Sequence, residues 1–113
     1  MSEEQKTICN KYKAEYLETP ANFKIGISEN IKNGLPIHGL RHQQSGDTAG
    51  WYIWSGEYSD DPNFFKPLHV QHLKEWCPQV IKYLGLAPGW RFLIDDKGHE
   101  DVWFDEKLLK LDK

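Results

Sequence analysis

Long hydrophobic runs and clusters of positive charge are both missing from this sequence. The 14 Lys and Arg residues form no run longer than two, and 17 Asp and Glu residues give a formal charge of -3. The positive surface that binds nucleic acid is therefore absent. No segment approaches the ~18 consecutive apolar residues of a membrane span. We expect neither nucleic acid nor a membrane as a partner.

Secretion signals and disulfide motifs are missing too. The first residues, MSEEQKTICNKYK, are polar and lack the apolar region of a signal peptide. The two cysteines, Cys9 and Cys77, lie far apart and form no CxxC motif. We interpret them as free thiols in a reducing compartment, where disulfides are rare. The expected location is the cytoplasm.

Aromatic residues, in contrast, are plentiful. The sequence has no internal repeat or low-complexity tract, and 113 residues suit one domain over 1–113. Hydrophobic residues make up 39% of the chain, with five Trp, five Tyr and five Phe. Each such ring can bury ~150–250 Å². A modest number of large side chains can therefore form the core.

The first half of the sequence predicts a helix followed by strands. Ile8, Tyr12 and Tyr16 are spaced by four, which indicates an N-terminal helix or extension within residues 1–20. The alternation in NFKIGIS predicts a strand, and the Asn33-Gly34 turn signal predicts that LPIHGLRHQ returns beside it as a hairpin. The segment WYIWSG then predicts a strand with apolar side chains on both faces, which favours a central position.

The second half predicts a loop, helical segments and a hairpin. EYSDDPNFFKP, with two prolines, indicates an irregular loop. Apolar residues from Leu68 to Leu84 follow helical spacing, and Pro78 predicts either a kink or a second short helix that begins there. Gly85 fits the left-handed position that ends a helix. WRFLI and DVWF predict a hairpin across DDKGHE, and the leucines of DEKLLKLDK predict a short final helix.

These elements together define the expected fold class. We predict an α+β domain with a four- to five-stranded, mainly antiparallel sheet and two or three helices packed on one side.

Two histidines could indicate a metal site. His69 and His72 are three residues apart and would share one side of a helix, with Asp60, Asp61 and Cys77 nearby in sequence. Zinc needs three or four such donors around one point, and no second half of a ligand pattern follows. A pair of surface histidines is the simpler interpretation, and we expect no metal and no cofactor.

Two catalytic interpretations concern the end of the tryptophan-rich strand. Ser55 could be a nucleophile, but YIWSGEY does not match the G-x-S-x-G motif and continues into a proline-containing loop. Glu57, Asp60 and Asp61 could act as acid and base on a sugar that stacks on a tryptophan. Hydration of the surface is the simpler role for acidic loop residues. We expect that the protein is not an enzyme.

Acidic residues are grouped in three segments of the second half. If these segments converge at one end of the sheet, they form a negative patch bordered by aromatic side chains. Such a patch would speed encounter with a basic partner and provide aromatic anchors. The alternative is a hydrated rim over a buried core, which composition alone favours. The acidic residues are Glu57, Asp60 and Asp61, then Asp95, Asp96, Glu100 and Asp101, then Asp105 and Glu106, and the bordering rings are Tyr58, Phe64, Phe65 and Trp103.

Several long motifs resemble one known family. They are GISEN (26–30), GLRH (39–42), GWYIWSGE (50–57), DDPNFFKPLHVQHL (60–73), YLGLAPGWRFLI (83–94) and EDVWFDE (100–106). In these motifs the sequence resembles the immunity protein 33-like family, small bacterial proteins associated with polymorphic toxin systems. The resemblance covers about residues 23–109, which we take as the family-like core.

The resemblance implies an inhibitor. Such a protein would act in the bacterial cytoplasm and bind a cognate protein toxin, occluding its active site or a surface that it requires. A toxin that cuts nucleic acid would carry a positive cleft, which an acidic inhibitor could occupy as a phosphate mimic.

Two groups of candidate site residues follow. We predict partner contacts at Glu57, Asp60, Asp61, Phe64 and Phe65. A second group could line a shared pocket: Arg41, Trp54, His69, His72 and Arg91. The two arginines could equally neutralise carboxylates and hold the loop in shape. The alternative function is a small-molecule or carbohydrate-binding domain, with or without enzymatic activity, around Trp54, Arg41, His69 and Arg91.

Overall fold

A computed structural model describes residues 2–32 and 36–110. Within these residues the chain forms two α-helices, α1 (Ser2–Tyr12) and α2 (Leu73–Trp76), and six strands. The strands are β1 (Lys24–Ser28), β2 (Ile37–Arg41), β3 (Thr48–Ser55), β4 (Phe65–His69), β5 (Trp90–Ile94) and β6 (Glu100–Phe104). Short 3-10 helices span Glu29–Lys32, Val70–His72, Pro78–Tyr83 and Glu106–Leu109.

The six strands form one mixed sheet in the order β4-β1-β3-β2-β5-β6. The β1 and β3 strands pair in parallel, and every other pair is antiparallel. The predicted α+β class is therefore confirmed, while the prediction of four to five mainly antiparallel strands needs correction to six strands in a mixed sheet. The additional strand is β4, whose Pro67 indicated a loop. Because β4 lies at the edge of the sheet, a missing backbone donor is tolerated there.

The predicted hairpin between β1 and β2 is wrong. The β3 strand lies between them, paired with β1 on one side and β2 on the other. The Asn33-Gly34 signal itself lies outside the described residues. As the longest strand, with apolar side chains on both faces, β3 takes the central position predicted for it, where both of its backbone edges are paired.

One face of the sheet carries the hydrophobic core. Side chains that alternate along the strands point to this face and pack against α1, α2 and the 3-10 helix Pro78–Tyr83. From the strands they include Ile25, Ile27, Ile37, Trp51, Ile53, Phe92 and Ile94, and from the helices Ile8, Cys9, Leu73, Val80 and Tyr83. The prediction that helices pack on one side of the sheet is thus met by the elements that form this core.

Predictions that rest on the backbone geometry of proline and of hairpin turns are confirmed. Pro78 begins the 3-10 helix that follows α2, and β5 and β6 form the predicted hairpin, with Gly98 at φ 87° in its turn. Gly85 is a correction. Its φ is not positive, and it is needed for space, because a Cβ there would lie 2.6 Å from the Tyr16 ring.

The apolar spacings that predicted helices extend beyond the helices that form. α1 ends at Tyr12, followed by Lys13 at φ 60°, so Tyr16 lies beyond it and bridges to Leu86 instead. Leu68, predicted as helical, lies in β4. The final helix is a 3-10 turn at Glu106–Leu109, and Leu111 lies outside the described residues. No helix in the described part of the chain is long and apolar enough to cross a bilayer.

Candidate functional site

None of the helices that form the core packs on the opposite face of the sheet. One row of side chains crosses all six strands on this face, as the strand register shows. The row runs Pro67, Gly26, Tyr52, Leu40, Arg91 and Trp103. Tyr52 and Trp103 remain 37% and 39% exposed. We call this surface the open face.

Five rings on the open face form a continuous cluster. Tyr52, Trp54, Tyr58, Phe64 and Phe65 are linked by centroid distances between 4.9 and 6.2 Å, most of them edge to face. This is the geometry that aromatic pairs prefer. Tyr58 is 59% exposed, whereas Trp54 is only 5% exposed beneath the other rings. We call these five residues the aromatic cluster.

The histidines of β2 border the aromatic cluster. The His38 ring stacks on Trp54 at 5.0 Å with an interplanar angle of 10°, and His42 meets the edge of Tyr52 at 5.6 Å. Burial lowers the pKa of His38, and the charge of Arg91 acts in the same direction. A neutral imidazole therefore stacks on one face of Trp54, and because Trp54 is only 5% exposed, little indole surface is left for a sugar to stack on.

Gly26 explains how two rings can lie directly on the sheet. A Cβ at Gly26 would lie 2.8 Å from Cδ2 of Tyr52 and 3.4 Å from Cβ of Phe65. The first distance is shorter than carbon atoms allow, so any side chain at this position would push Tyr52 outward. The sequence does not reveal this residue, because the contact joins β1, β3 and β4, which are distant in the chain.

Two of the three acidic segments lie at one end of the sheet. Ser55, Ile37, Ile94 and Glu100 are register partners across β3, β2, β5 and β6, so the loops that follow β3 and β5 leave the sheet at the same end. Glu57, Asp60, Asp61 and Asp96 are exposed in these loops. We call these four carboxylates the acidic rim. The third segment, Asp105 and Glu106, follows β6 and therefore lies at the opposite end.

The loop before β4 is ordered by its own polar groups. Asp61 Oδ1 accepts a hydrogen bond from the backbone N–H of Asn63 at 2.9 Å, and Ser59 Oγ accepts from the N–H of Asp61 at 3.1 Å. The backbone N–H of Phe64 donates to the Asp61 carbonyl at 2.9 Å. These contacts hold Phe64 and Phe65, both half-buried, beside the carboxylates. Asp61, Phe64 and Phe65 are therefore neighbours in space, and Glu57 and Asp60 belong to the same loop.

Glu100 does not belong to the acidic rim. Its side chain points to the helical face, where it accepts hydrogen bonds from Lys11 Nζ at 2.9 Å, Tyr83 OH at 2.7 Å and Tyr12 OH. Burial opposes its ionisation, but the hydrogen bonds from the two tyrosines and Lys11 prevail and lower its pKa to about 2. Glu100 thus joins the β5–β6 hairpin to α1.

Arg41 is a structural residue on the helical face. Its side chain is fully buried, and Nε donates to the Ala49 carbonyl at 3.0 Å, while Nη1 donates to those of Leu17 and Leu86 at 2.9 and 2.7 Å. Burial lowers the pKa of Arg41 to about 10, so it is charged at neutral pH. It bridges three backbone segments and takes no part in a surface pocket.

The other predicted pocket residues do not converge either. Arg91 lies on the open face, where it donates to Asp105 Oδ2 at 3.0 Å and sits over the Trp103 ring. His69 ends β4, and its ring lies 6.3 Å from that of His72, at the end of β4 remote from the acidic rim. The five predicted pocket residues are thus spread over two faces and two ends of the sheet.

The described residues contain no group of three or more His, Cys, Asp and Glu side chains that could hold a metal ion. Cys77 is buried beside the helices, and burial raises its pKa to about 11, while His69 and His72 are exposed. The donors considered for a zinc site therefore lie in different environments.

Two depressions differ in size and lining. On the open face, a depression of about 250 Å³ is lined by Leu40, His42, Tyr52, Trp54, Tyr58 and Phe65. On the helical face, a larger cavity of about 490 Å³ lies between α1, the segment before β1 and the helices after β4. None of the predicted pocket residues lines the larger cavity.

Fold and surface together define a small α+β protein in which helices cover one face of a mixed sheet and the other face presents aromatic rings beside carboxylates. The model of the Imm33-like domain matches residues 4–105, so the chain belongs to the Imm33-like family. The match begins within α1, ahead of the core at 23–109 that the motifs suggested. Searches of curated proteins and of solved structures gave no match.

Proposed function

We propose that the protein is an immunity-type inhibitor, which binds a cognate bacterial toxin through the open face and occludes it without catalysing a reaction. Membership of the Imm33-like family supports the class of function. The observation that carries the proposal is the aromatic cluster on a sheet face that no core helix covers. Exposed apolar patches with a polar border mark protein interaction sites.

The aromatic cluster is suited to provide binding energy. Binding hot spots are enriched in Tyr and Trp and lie in well-packed surroundings. Tyr52 and Tyr58 are exposed, while Trp54, Phe64 and Phe65 support them from below and beside. Because these rings already contact one another, little side-chain freedom remains to be lost when a partner binds.

The acidic rim favours a basic partner. Four exposed carboxylates lie at the end of the sheet where the aromatic cluster is found, and Tyr58 and Phe64 share their loop. Complementary charge accelerates encounter and excludes partners of the wrong sign. We propose that Glu57, Asp60, Asp61, Phe64 and Phe65 contact the toxin and that the toxin surface is positive.

The geometry gives less support to the alternative of a small-molecule or carbohydrate site around Trp54, Arg41, His69 and Arg91. Arg41 is buried on the helical face, His69 lies at the remote end of β4, and His38 covers Trp54. A ligand could not touch all of these groups at once. Inhibition by occlusion needs no such convergence.

The test is neutralisation of the toxin that we expect to be encoded beside this gene. Co-expression should abolish toxicity, and the two proteins should form a complex that isothermal titration detects. Replacing Tyr58 and Phe64 together by alanine should weaken binding at least ten-fold, because truncation of hot-spot rings costs about 2 kcal/mol or more. Both side chains are partly exposed, so the variant should still fold.

The matched control is Phe104→Ala, which removes a ring that is 47% exposed but lies outside the aromatic cluster. Its affinity should equal that of the wild type. Unchanged binding by the Tyr58/Phe64 variant, or neutralisation without a complex, would contradict the proposal.

A further inference from the structure

The depression on the open face has the lining of a cation-binding site. Four of its six lining residues are aromatic, namely Tyr52, Trp54, Tyr58 and Phe65. The interplanar angle is 71° between Trp54 and Tyr58, 80° between Trp54 and Phe65, and 73° between Tyr52 and Phe65. In these edge-to-face pairs the rings pack against one another, and together they border the depression. Aromatic walls of this kind bind cations through the negative charge on the ring faces.

Within the described residues, the chain supplies no lysine or arginine to the depression. The cation–π contacts found among the described residues involve other rings, for example Arg91 over Trp103 at 5.5 Å on the same face. Leu40 completes the lining without charge. The space is therefore free for a cation from outside.

Hydrogen-bonding groups are present around the aromatic walls. His42 Nδ1 lies 3.2 Å from the Leu108 carbonyl, and because a carbonyl only accepts, Nδ1 carries the proton. Tyr52 and Tyr58 add hydroxyl oxygens. Glu57 precedes Tyr58 in the chain and is exposed, so the loop that carries Tyr58 also carries negative charge.

The volume of the depression suits a single bound side chain. A volume of about 250 Å³ lies below the ~300–1,000 Å³ of sites for drug-sized ligands. Arginine suits it better than lysine, because the guanidinium is planar, stacks on aromatic faces and is more weakly hydrated than an ammonium. Burial among rings therefore costs arginine less hydration.

We propose that this depression receives an arginine side chain presented by the toxin, with the guanidinium against the rings of Tyr52, Tyr58 and Phe65. The inference rests on the proposed function, since the arginine belongs to the partner. It names the chemical group on the toxin that the open face would recognise.

A titration without the toxin tests the site directly. Nα-acetyl-arginine amide should cause saturable NMR shifts of the Tyr52, Trp54, Tyr58 and Phe65 resonances. The citrulline analogue has nearly the same shape without charge, and it should bind about 2- to 30-fold more weakly. Tyr58→Leu should weaken arginine binding several-fold, while Phe104→Leu should not. Amide spectra of both variants report whether they remain folded.

Three results would overturn the inference: equal shifts with arginine and citrulline amides, no shifts at these rings, or tighter binding of a methyl glycoside than of the arginine amide. Failure here is distinguishable from failure of the proposed function. If the toxin is neutralised but arginine amide does not bind, only the arginine inference fails. If arginine amide binds but no toxin complex forms, the cation site stands and the immunity function fails.

Discussion

At the scale of single residues, side chains that look like site residues in the sequence prove to hold the fold together. Arg41 donates to backbone carbonyls of three segments, and it has no carboxylate partner among the described residues. Its charge is balanced by these backbone carbonyls, by the side-chain oxygen of Gln44 at 2.8 Å and by the Trp51 ring beneath it. A sequence shows that an arginine is present, but it cannot show that the residue is fully buried.

Glu100 offers a test at this scale. Glu100→Gln should lower the free energy of unfolding at pH 7 by about 1–3 kcal/mol, because the charged acceptor of three hydrogen bonds is lost. The pKa of Glu100 falls on folding from 4.5 to about 2. The stabilisation is therefore complete above pH 4.5 and is lost as the pH falls toward 2. Urea unfolding at several pH values measures it.

Asp101→Asn is the matched control for Glu100. Asp101 is the next carboxylate along β6, exposed and paired with His99 at 2.9 Å. Exposed ion pairs contribute little, so its loss should change the free energy of unfolding by less than about 0.5 kcal/mol. If the free energy of unfolding of both variants depended on pH in the same way, the low pKa of Glu100 would not be the cause of that dependence.

At the scale of elements, two glycines on opposite faces of the sheet should separate binding from stability. Gly26→Ala forces the partly exposed Tyr52 ring outward, so we expect several-fold weaker toxin binding and a loss of stability below about 1 kcal/mol. Gly39→Ala places a Cβ 2.3 Å from the buried Phe92 ring, and we expect a loss of about 1–3 kcal/mol.

Titration calorimetry and urea unfolding of both glycine variants provide the measurements. Alanine is normally more favourable than glycine in a strand, so a loss of stability in Gly39→Ala isolates the clash with Phe92. A Gly26→Ala variant that binds the toxin as tightly as the wild type would show that the position of Tyr52 is unimportant.

Predictions of helices and turns were confirmed where the backbone geometry of a single residue decides the structure. Predictions of strands were wrong where pairing between distant segments decides it. Pro78 at the start of a helix and Gly98 in a hairpin turn follow from backbone geometry alone. The prediction of a β1–β2 hairpin was wrong because β3 lies between these strands and pairs with both. β4 was missed because an edge strand of five residues, Phe65–His69, carries little hydrophobic pattern of its own.

At the scale of the whole molecule, charge should control how fast the partner binds. The association rate with the toxin should fall several-fold as salt rises from about 0.01 to 1 M, where the Debye length shortens from ~30 to ~3 Å. Replacing Glu57, Asp60 and Asp61 by their amides should slow association and flatten this dependence. Stopped-flow fluorescence measures the association rates of the wild type and of the amide variant.

The control removes the same number of charges from the helices, by Glu3→Gln, Glu4→Gln and Glu75→Gln, all at exposed positions. Net charge then matches the rim variant, and only its location differs. Equal slowing in both variants would mean that overall charge, rather than the acidic rim, attracts the toxin. A rate that does not depend on salt would remove the electrostatic part of the proposal.

The sequence by itself determined the α+β class, the central β3 strand and the grouping of Glu57, Asp60, Asp61, Phe64 and Phe65. These features depend on alternation and on residues close together in the chain. Only the tertiary structure decided which face of the sheet stays open, where Arg41 and Glu100 point, and that Gly26 lets Tyr52 lie on the sheet. Such properties depend on strand order and on contacts between distant segments, which local patterns do not encode.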